Sequence, residues 1–201
     1  MAANFPLVGV VIAGGRSVRF GGEKAVALYQ GRPLLWWAVQ RLQRTCDTVV
    51  VNARPGTEAA ALAAEEGLAV LSDLPGDPDG PLSGVKVALR WAAARGGRLL
   101  AVSPCDAPRL PEDLFPRLIA AAAGGAAYAE TEEGRQPMCA VWPVAALAAL
   151  ETALADGAHP ATWRMLEALG ATRLRFDPAE DFVNVNTRAD LAQLEAAGHQ
   201  R

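Results

Sequence analysis

The chain has 201 residues, enough for one α/β domain with a full core, and its 51% hydrophobic and 20% charged content excludes a disordered polymer. A net charge of −3 argues against a nucleic-acid groove, which needs clustered lysine and arginine. Three scattered cysteines (Cys46, Cys105, Cys139) with no C-x-x-C pair, no apolar run long enough for a bilayer and no secretory leader pattern lead to the expectation of a soluble, cytoplasmic protein with free thiols.

Strand and helix signals alternate, the pattern of βαβ units around a mostly parallel sheet. Strands are predicted at 7–12, 48–52, 69–72, 99–102, 126–129, 138–142, 173–176 and 182–184. Helices are predicted at 33–44, 57–66, 82–94, 111–123, 144–155, 160–169 and 187–196. The expected architecture is a single three-layer, Rossmann-like α/β domain over residues 1–201, with a mostly parallel, partly mixed central sheet. In the first helix Leu34, Leu35, Ala38, Val39 and Leu42 form one apolar face. Trp36 and Trp37 fall outside it. They fit either a partner surface or packing beneath a neighbouring loop, and the second reading is preferred.

The most telling segment leaves the first strand: Ile12-Ala13-Gly14-Gly15-Arg16-Ser17-Val18-Arg19-Phe20-Gly21-Gly22-Glu23-Lys24. In open α/β sheets ligands bind beyond the carboxyl ends of strands. Glycines there let main-chain N–H groups approach an anion closely, and Arg16, Arg19 and Lys24 add positive charge. The stretch reads as a cradle for a nucleoside triphosphate. It is not a Walker A loop, because Lys24 stands between Glu23 and Ala25, and its glycine spacing is not that of a dinucleotide fingerprint.

With Gly31-Arg32-Pro33-Leu34-Leu35 behind it, this segment resembles the signature of the molybdopterin nucleotidyltransferases, particularly the molybdenum cofactor guanylyltransferases. Two positions depart from that signature: Phe20 stands in place of methionine and Glu23 in place of aspartate. The cytidylyltransferase branch of the family reads A-A-G where this chain has Ala13-Gly14-Gly15, so the resemblance leans toward guanine. Matching elements run from residue 12 to residue 190. They imply a nucleotide-binding part over roughly residues 7–110 and an acceptor-binding part over roughly 111–190.

Ser103-Pro104-Cys105-Asp106-Ala107-Pro108 follows the strand at 99–102. A carboxylate at a strand's carboxyl end suits Mg²⁺, which takes oxygen ligands from one or two carboxylates plus substrate phosphates. Alone, Asp106 reads better as a cap on the following turn; the resemblance, in the motif P-C-D-x-P, implies a metal ligand. Cys105 reads as a small buried side chain, with no histidine nearby in sequence to activate it. The resemblance places Asn52 and Asp73, with Ile12, Ala13, Gly14, Gly15, Lys24 and Asp106, in a GTP site. A carboxylate can accept from guanine's N1–H and exocyclic amine together, a donor pair that cytosine and uracil do not present. On its residues alone Asp73 reads as a solvated acid beside Asp77 and Asp79.

Gly80-Pro81-Leu82-Ser83-Gly84 suits a helix start approached by a ligand, and Gln136-Pro137-Met138-Cys139-Ala140 resembles the family's acceptor-pocket segment. In Phe182-Val183-Asn184-Val185-Asn186-Thr187, alternation puts the two valines on one strand face and the two asparagines on the other. Thr187 and Asp190 form a capping-box-like pair. The resemblance gives Asn184 and Asn186 to the acceptor. His159 and His199 show no metal-ligand spacing and receive no role. The implied activity joins GMP from GTP to molybdenum-bound molybdopterin, with Mg²⁺ as cofactor and Arg19, Lys24 and Asp106 as the catalytic groups. The implied partners are GTP, molybdopterin, molybdenum-insertion proteins and recipient molybdoenzymes, and the chain is expected to work as a monomer. The rival readings are a CTP-dependent enzyme of the same family, another small nucleotidyltransferase, and a nucleotide-binding protein without turnover.

Overall fold

The apolar run that opens the chain becomes β1 (Val8–Ile12), the hub of the molecule. In the computed structural model, which describes residues 6–15 and 18–198, β1 carries a parallel neighbour on each side. Arg16, Ser17 and His199, singled out or quoted in the sequence, lie outside the described residues. A short hairpin of β2 (Leu28–Tyr29) and β3 (Arg32–Pro33) follows the glycine-rich segment. Its turn uses Gln30 and Gly31, both at positive φ. Such a hairpin is not legible in the sequence, because two-residue strands show no alternation.

From there elements alternate: α1 (Leu34–Gln43), β4 (Thr48–Asn52), α2 (Glu58–Glu65), β5 (Ala69–Leu71), α3 (Pro81–Ala93), β6 (Leu99–Pro104) and α4 (Leu114–Ala122). The remaining elements are β7 (Ala127–Thr131), β8 (Gly134–Pro143), α5 (Leu147–Leu154), α6 (Thr162–Ala168), β9 (Thr172–Arg175) and α7 (Arg188–Gly198). The main sheet has the order β5-β4-β1-β6-β8-β7-β9. Only β8 runs against the rest, pairing antiparallel with both β6 and β7. The sheet is therefore mostly parallel and mixed, as expected. β1 sits where the chain reverses its direction of building, with β4 and β5 added on one side and β6 on the other. That switch point is where open α/β sheets leave a crevice for ligands.

The strand period of two splits the core between two faces. Val11, Val49, Val51, Ala101 and Val141 pack under α1, α2 and α4, through Leu35, Val39, Leu42, Ala59, Leu114 and Leu118. Val8, Val10, Val50, Leu100, Val102 and Trp142 pack under α3, α5 and α6, through Leu82, Val85, Leu89, Leu150 and Leu166. These are the three layers. A smaller cluster of Phe20, Tyr29, Leu34, Val185 and Leu194 seats α7 and the hairpin on the start of α1. Phe20, which replaces the family's methionine, is thus a packing residue with 4% exposure. Trp37 donates its indole N–H to the Tyr29 carbonyl at 3.0 Å and meets the Tyr29 ring edge-on, with Trp36 edge-on beside it. Trp37 accordingly packs under the hairpin.

Two predicted strands differ in ways that matter for the site. No strand forms at 182–184: residues Ala179–Phe182 make a 3₁₀ turn, and the chain then passes the sheet without pairing in it. Val183 is exposed and Val185 fully buried, so the anticipated common valine face does not exist. β8 begins at Gly134, well before the predicted 138, and its register with β7 jumps from Tyr128↔Ala140 to Ala129↔Gln136. Pro137, Met138 and Cys139 leave the β7 ladder there, since proline brings no N–H to it. On the other flank β8 pairs with β6 only as far as Val102↔Ala140, so the two strands part and open a gap.

Candidate active site

The gap and the switch point are one cleft of about 590 Å³, within the size range of small-ligand pockets. Every site residue singled out in the sequence and described by the structure lines it: Ile12, Ala13, Gly14, Gly15, Arg19, Lys24, Asn52, Asp73, Asp106, Asn184 and Asn186. Glu23, Arg54, Gly80, Arg135, Gln136 and Phe182 line it as well.

The floor follows from strand register. Ile12 ends β1 opposite Asn52 of β4 on one side and Pro104 of β6 on the other. The Ala13 N–H continues the ladder to the Asn52 carbonyl at 2.8 Å, after which the chain turns away through Gly14 and Gly15. The Asn52 side chain, 2% exposed, is wedged between two glycines. A Cβ on Gly84 would come within 2.3 Å of its Oδ1, and one on Gly14 within 3.3 Å. Those glycines are needed for close approach, and alanine at Gly84 would expel the amide. Asn52 Nδ2 donates to Asp73 Oδ1 at 2.9 Å, so the two predicted base-recognition residues form one unit. Burial pushes the Asp73 carboxyl above its ordinary range, and nearby Asp77 and Asp79 add to that, against the opposing effects of the Asn52 amide and Lys86.

The loop after Asp73 is fastened from several sides. Lys86, 7% exposed on α3, makes an ion pair with Asp77, whose second oxygen accepts from the Leu74 N–H at 3.1 Å. Ser83 Oγ donates to the Pro78 carbonyl at 2.7 Å. Asp77, read in sequence as one of a run of solvated acids, is a structural anchor.

At the opposite end of the cleft Lys24 stands in a 3₁₀ turn, Lys24–Val26. Its Nζ meets Asp106 Oδ2 at 2.5 Å, with side-chain exposures of 13% and 20%. Asp106 lies two residues beyond β6, and its other carboxylate oxygen makes no bond among the described residues. Glu23 explains its own identity: its carboxylate accepts from the Glu58 and Ala59 N–H groups at the start of α2, an anion at a helix N-terminus. Arg19 and Arg54 also line the cleft. The cleft carries the cations Arg19, Lys24 and Arg54 and, where β4 and β5 end, the carboxylate–amide unit of Asn52 and Asp73. Such polarity suits a molecule with an anionic tail and a hydrogen-bonding base.

The third wall is built from the unpaired segment and β8. The Val185 N–H donates to the Asp106 main-chain carbonyl at 2.8 Å, which holds Asn184 and Asn186 beside the Lys24–Asp106 pair. Asp190 accepts from the Asn186 and Thr187 N–H groups, and Thr187 Oγ1 accepts from the Asp190 N–H, so the anticipated capping pair forms. Those main-chain bonds and the Thr187 contacts hold the Asp190 carboxyl below its ordinary value. Arg135, from the start of β8, lies over the Trp163 ring at 4.5 Å and pairs with Glu167 at 3.4 Å. Sequence reasoning passed over Arg135 and Arg54, which carry no motif. Cys105 is buried and its thiol is pushed up to about 12 by burial, so it is no thiolate nucleophile at neutral pH. Cys139, facing the same cleft, is pushed up further for the same reason.

Mg²⁺ fits what Asp106 offers: one carboxylate with a spare oxygen, beside space for phosphates. No group of three or more His, Cys, Asp or Glu capable of caging a metal exists among the described residues.

Residues 9–173 match the family model described as the MobA-like NTP transferase domain. A molybdenum cofactor guanylyltransferase of Cereibacter sphaeroides is 39% identical over 191 residues, covering 94% of this chain and 96% of that protein. A molybdopterin-guanine dinucleotide biosynthesis protein A from Archaeoglobus fulgidus is similar in fold, with a TM-score of 0.77 at 22% identity, covering 96% of this chain and 100% of that one. A Mycobacterium tuberculosis protein solved in complex with manganese is also similar, with a TM-score of 0.68 at 17% identity over 96% and 99% of the two chains. At such identities the two structures speak for the fold alone.

Proposed function

The chain belongs to the MobA-like NTP transferase family, and from that premise we propose that it transfers GMP from GTP to the terminal phosphate of molybdenum-bound molybdopterin, releasing pyrophosphate. The observation that carries this reading is that the Lys24–Asp106 pair, the glycine turn and the Asn52–Asp73 unit line one cleft. Charge and hydrogen-bonding groups stand at opposite ends of a single ligand-sized space. A glycine-rich surface loop with solvated cations has no reason to produce that arrangement.

Guanine lies against Asp73, whose carboxylate accepts from N1–H and the exocyclic amine, while the Asn52 amide meets the base or ribose. Arg19, Lys24 and the N–H groups of Gly14 and Gly15 hold the β- and γ-phosphates. An acceptor phosphate oxygen forms a bond to the α-phosphorus as the bridging bond to the β-phosphate breaks, and the electron pair leaves with pyrophosphate. The nucleophile is already anionic at neutral pH, so no protein base and no covalent intermediate is required. Catalysis then consists of positioning and neutralising charge. Asp106 would hold Mg²⁺, which supplies positive charge to the phosphate oxygens when bound. Binding moves Lys24 from Asp106 to a phosphate, an exchange of one anionic partner for another. Asn184 and Asn186 hold the acceptor, kept next to Asp106 by the Val185 N–H bond. The protein works in the cytoplasm as a monomer, taking its acceptor from molybdenum-insertion proteins and delivering to molybdoenzymes. Three buried free cysteines support a reducing compartment.

The test is pyrophosphate release with molybdopterin and Mg²⁺ against a panel of nucleotides, paired with calorimetric titration of each. GTP is expected to bind and turn over in preference to CTP. Faster turnover of CTP would assign the chain to the cytidylyl branch, and GTP binding without turnover would make it a carrier.

A further inference from the structure

We propose that His159 is a positioning residue for the base-recognition end of the cleft and so helps set the preference for a guanine nucleotide, an inference that rests on the GTP reading above. His159 lies on the segment between α5 and α6, in the acceptor-binding part, 77 residues away from the group it holds. Its Nε2 accepts the Leu82 N–H at 3.2 Å, at the second residue of α3. That amide is one of the donors a helix leaves open at its N-terminus. The residue preceding α3 is Gly80, which has no side chain to satisfy it. Gly80 also has a φ of +147°, and a Cβ there would lie 2.1 Å from His159 Nε2. The glycine is therefore doubly required: for its backbone angle and for the imidazole that sits against it.

The consequence for function comes from what the turn connects. Gly80 and Pro81 line the cleft, and the loop reaching back to Asp73 is anchored at Asp77 by Lys86 and at Pro78 by Ser83. Both of those anchors belong to α3 itself. His159 is the anchor that comes from the other part of the molecule, and it holds the last turn before the helix. An acceptor at this helix end is favoured by the dipole as well as by the open N–H. Because Nε2 accepts, the imidazole acts here without a proton on that nitrogen. Freed from it, Gly80 regains the conformational range that glycine has, and the loop carrying Asp73 loses one of its fastenings, the one nearest the start of α3. The groups that touch phosphate, at Lys24 and Asp106, sit on different elements and keep their geometry.

The experiment compares His159→Ala and His159→Gln with the wild type, in steady-state turnover of GTP and of CTP at fixed molybdopterin and Mg²⁺. Glutamine supplies a carbonyl acceptor at similar reach. The alanine variant is expected to raise KM for GTP about fivefold to tenfold with kcat within about twofold, the scale of one lost hydrogen bond. Its GTP-over-CTP preference in kcat/KM is expected to fall by the same factor, and glutamine to restore most of both. Hydrogen exchange at the Leu82 amide, read without nucleotide, is expected to speed up with alanine and slow again with glutamine. Unchanged KM and selectivity in the alanine variant would overturn the inference, as would an equal loss for both nucleotides with a lowered melting temperature. A wild type that turns over no GTP sinks the GTP reading itself, and this inference with it, before any variant is made.

Discussion

The first half of the chain, up to Asp106, and the second half place their cleft-lining residues by different means. In the first half Ile12 on β1, Asn52 on β4, Asp73 beyond β5 and Asp106 beyond β6 stand at the carboxyl end of a parallel strand or just past it. The sheet register aligns these strand ends, and the loop after Asp73 is fastened besides by Lys86 and Ser83. In the second half the cleft-facing residues come from a register break in β8 and from a segment that pairs with no strand of the sheet. Those residues are placed by contact with the first part, above all by the Val185 N–H on the Asp106 carbonyl. The lesson is that a parallel sheet supplies a ready row of positions, whereas an added substrate wall must be tied to that row. Asp106 is the tie, contributing its carboxylate to one part and its carbonyl to the other.

This contrast can be broken most directly at Asp106. Asp106→Ala should lower pyrophosphate release by about a hundredfold or more, the scale of losing a principal charge-stabilising contact. Its far-ultraviolet circular dichroism should stay unchanged, because the main-chain bond to Val185 survives. Near-normal turnover would remove the carboxylate from the reaction. Lys24→Ala comes next: GTP affinity by calorimetry should fall about tenfold to a hundredfold, as for a lost charge-assisted bond, with guanosine binding nearly unaffected. Equal losses for both ligands would take Lys24 off the phosphates.

Asp73→Asn should reduce the GTP-over-CTP preference about tenfold, since an amide cannot accept from both guanine donors. The same group carries a pH signature. Burial raises the Asp73 carboxyl, and guanine needs its ionised form. The preference for GTP should therefore fade on acidification, starting above the value of about 3.9 of a free aspartate, and the fading should vanish in Asp73→Asn. Folding linkage has the matching sign. A raised carboxyl binds its proton more tightly in the folded state, so between the unfolded and folded values stability falls as pH rises. The smallest effect should come from the acceptor wall. Asn184→Ala and Asn186→Ala should each raise KM for molybdopterin about threefold to tenfold, one neutral hydrogen bond apiece, and leave KM for GTP unchanged. A shift in GTP KM would show that the two parts are less separable than their architecture indicates.

Much of the first half of the chain was legible in the sequence. A β-branched run followed by glycines and cations is a local pattern, and the sheet turns it directly into a strand end and a glycine turn that lines the cleft. Asn52, Asp73 and Asp106 each end or follow a strand, but it was the resemblance to the family that singled them out. The second half was harder. Alternation at 182–186 resembles a strand, yet the segment pairs with none of the sheet's strands, and Val183 is exposed. β8 was foreshortened because Gln136-Pro137 looks like a loop; only its bond partners in β6 and β7 reveal a strand with a bulged interior.

The one-dimensional chain thus determined the layers, the central strands, the glycine-rich turn and the identity of the residues that end each parallel strand, all of which depend on patterns within a few residues of each other. Tertiary structure decided which of them meet. Lys24 reaches Asp106 across 82 positions, and His159 reaches Leu82 across 77. Such contacts are set by how strands are ordered and how far their partners extend, and no local period records that information.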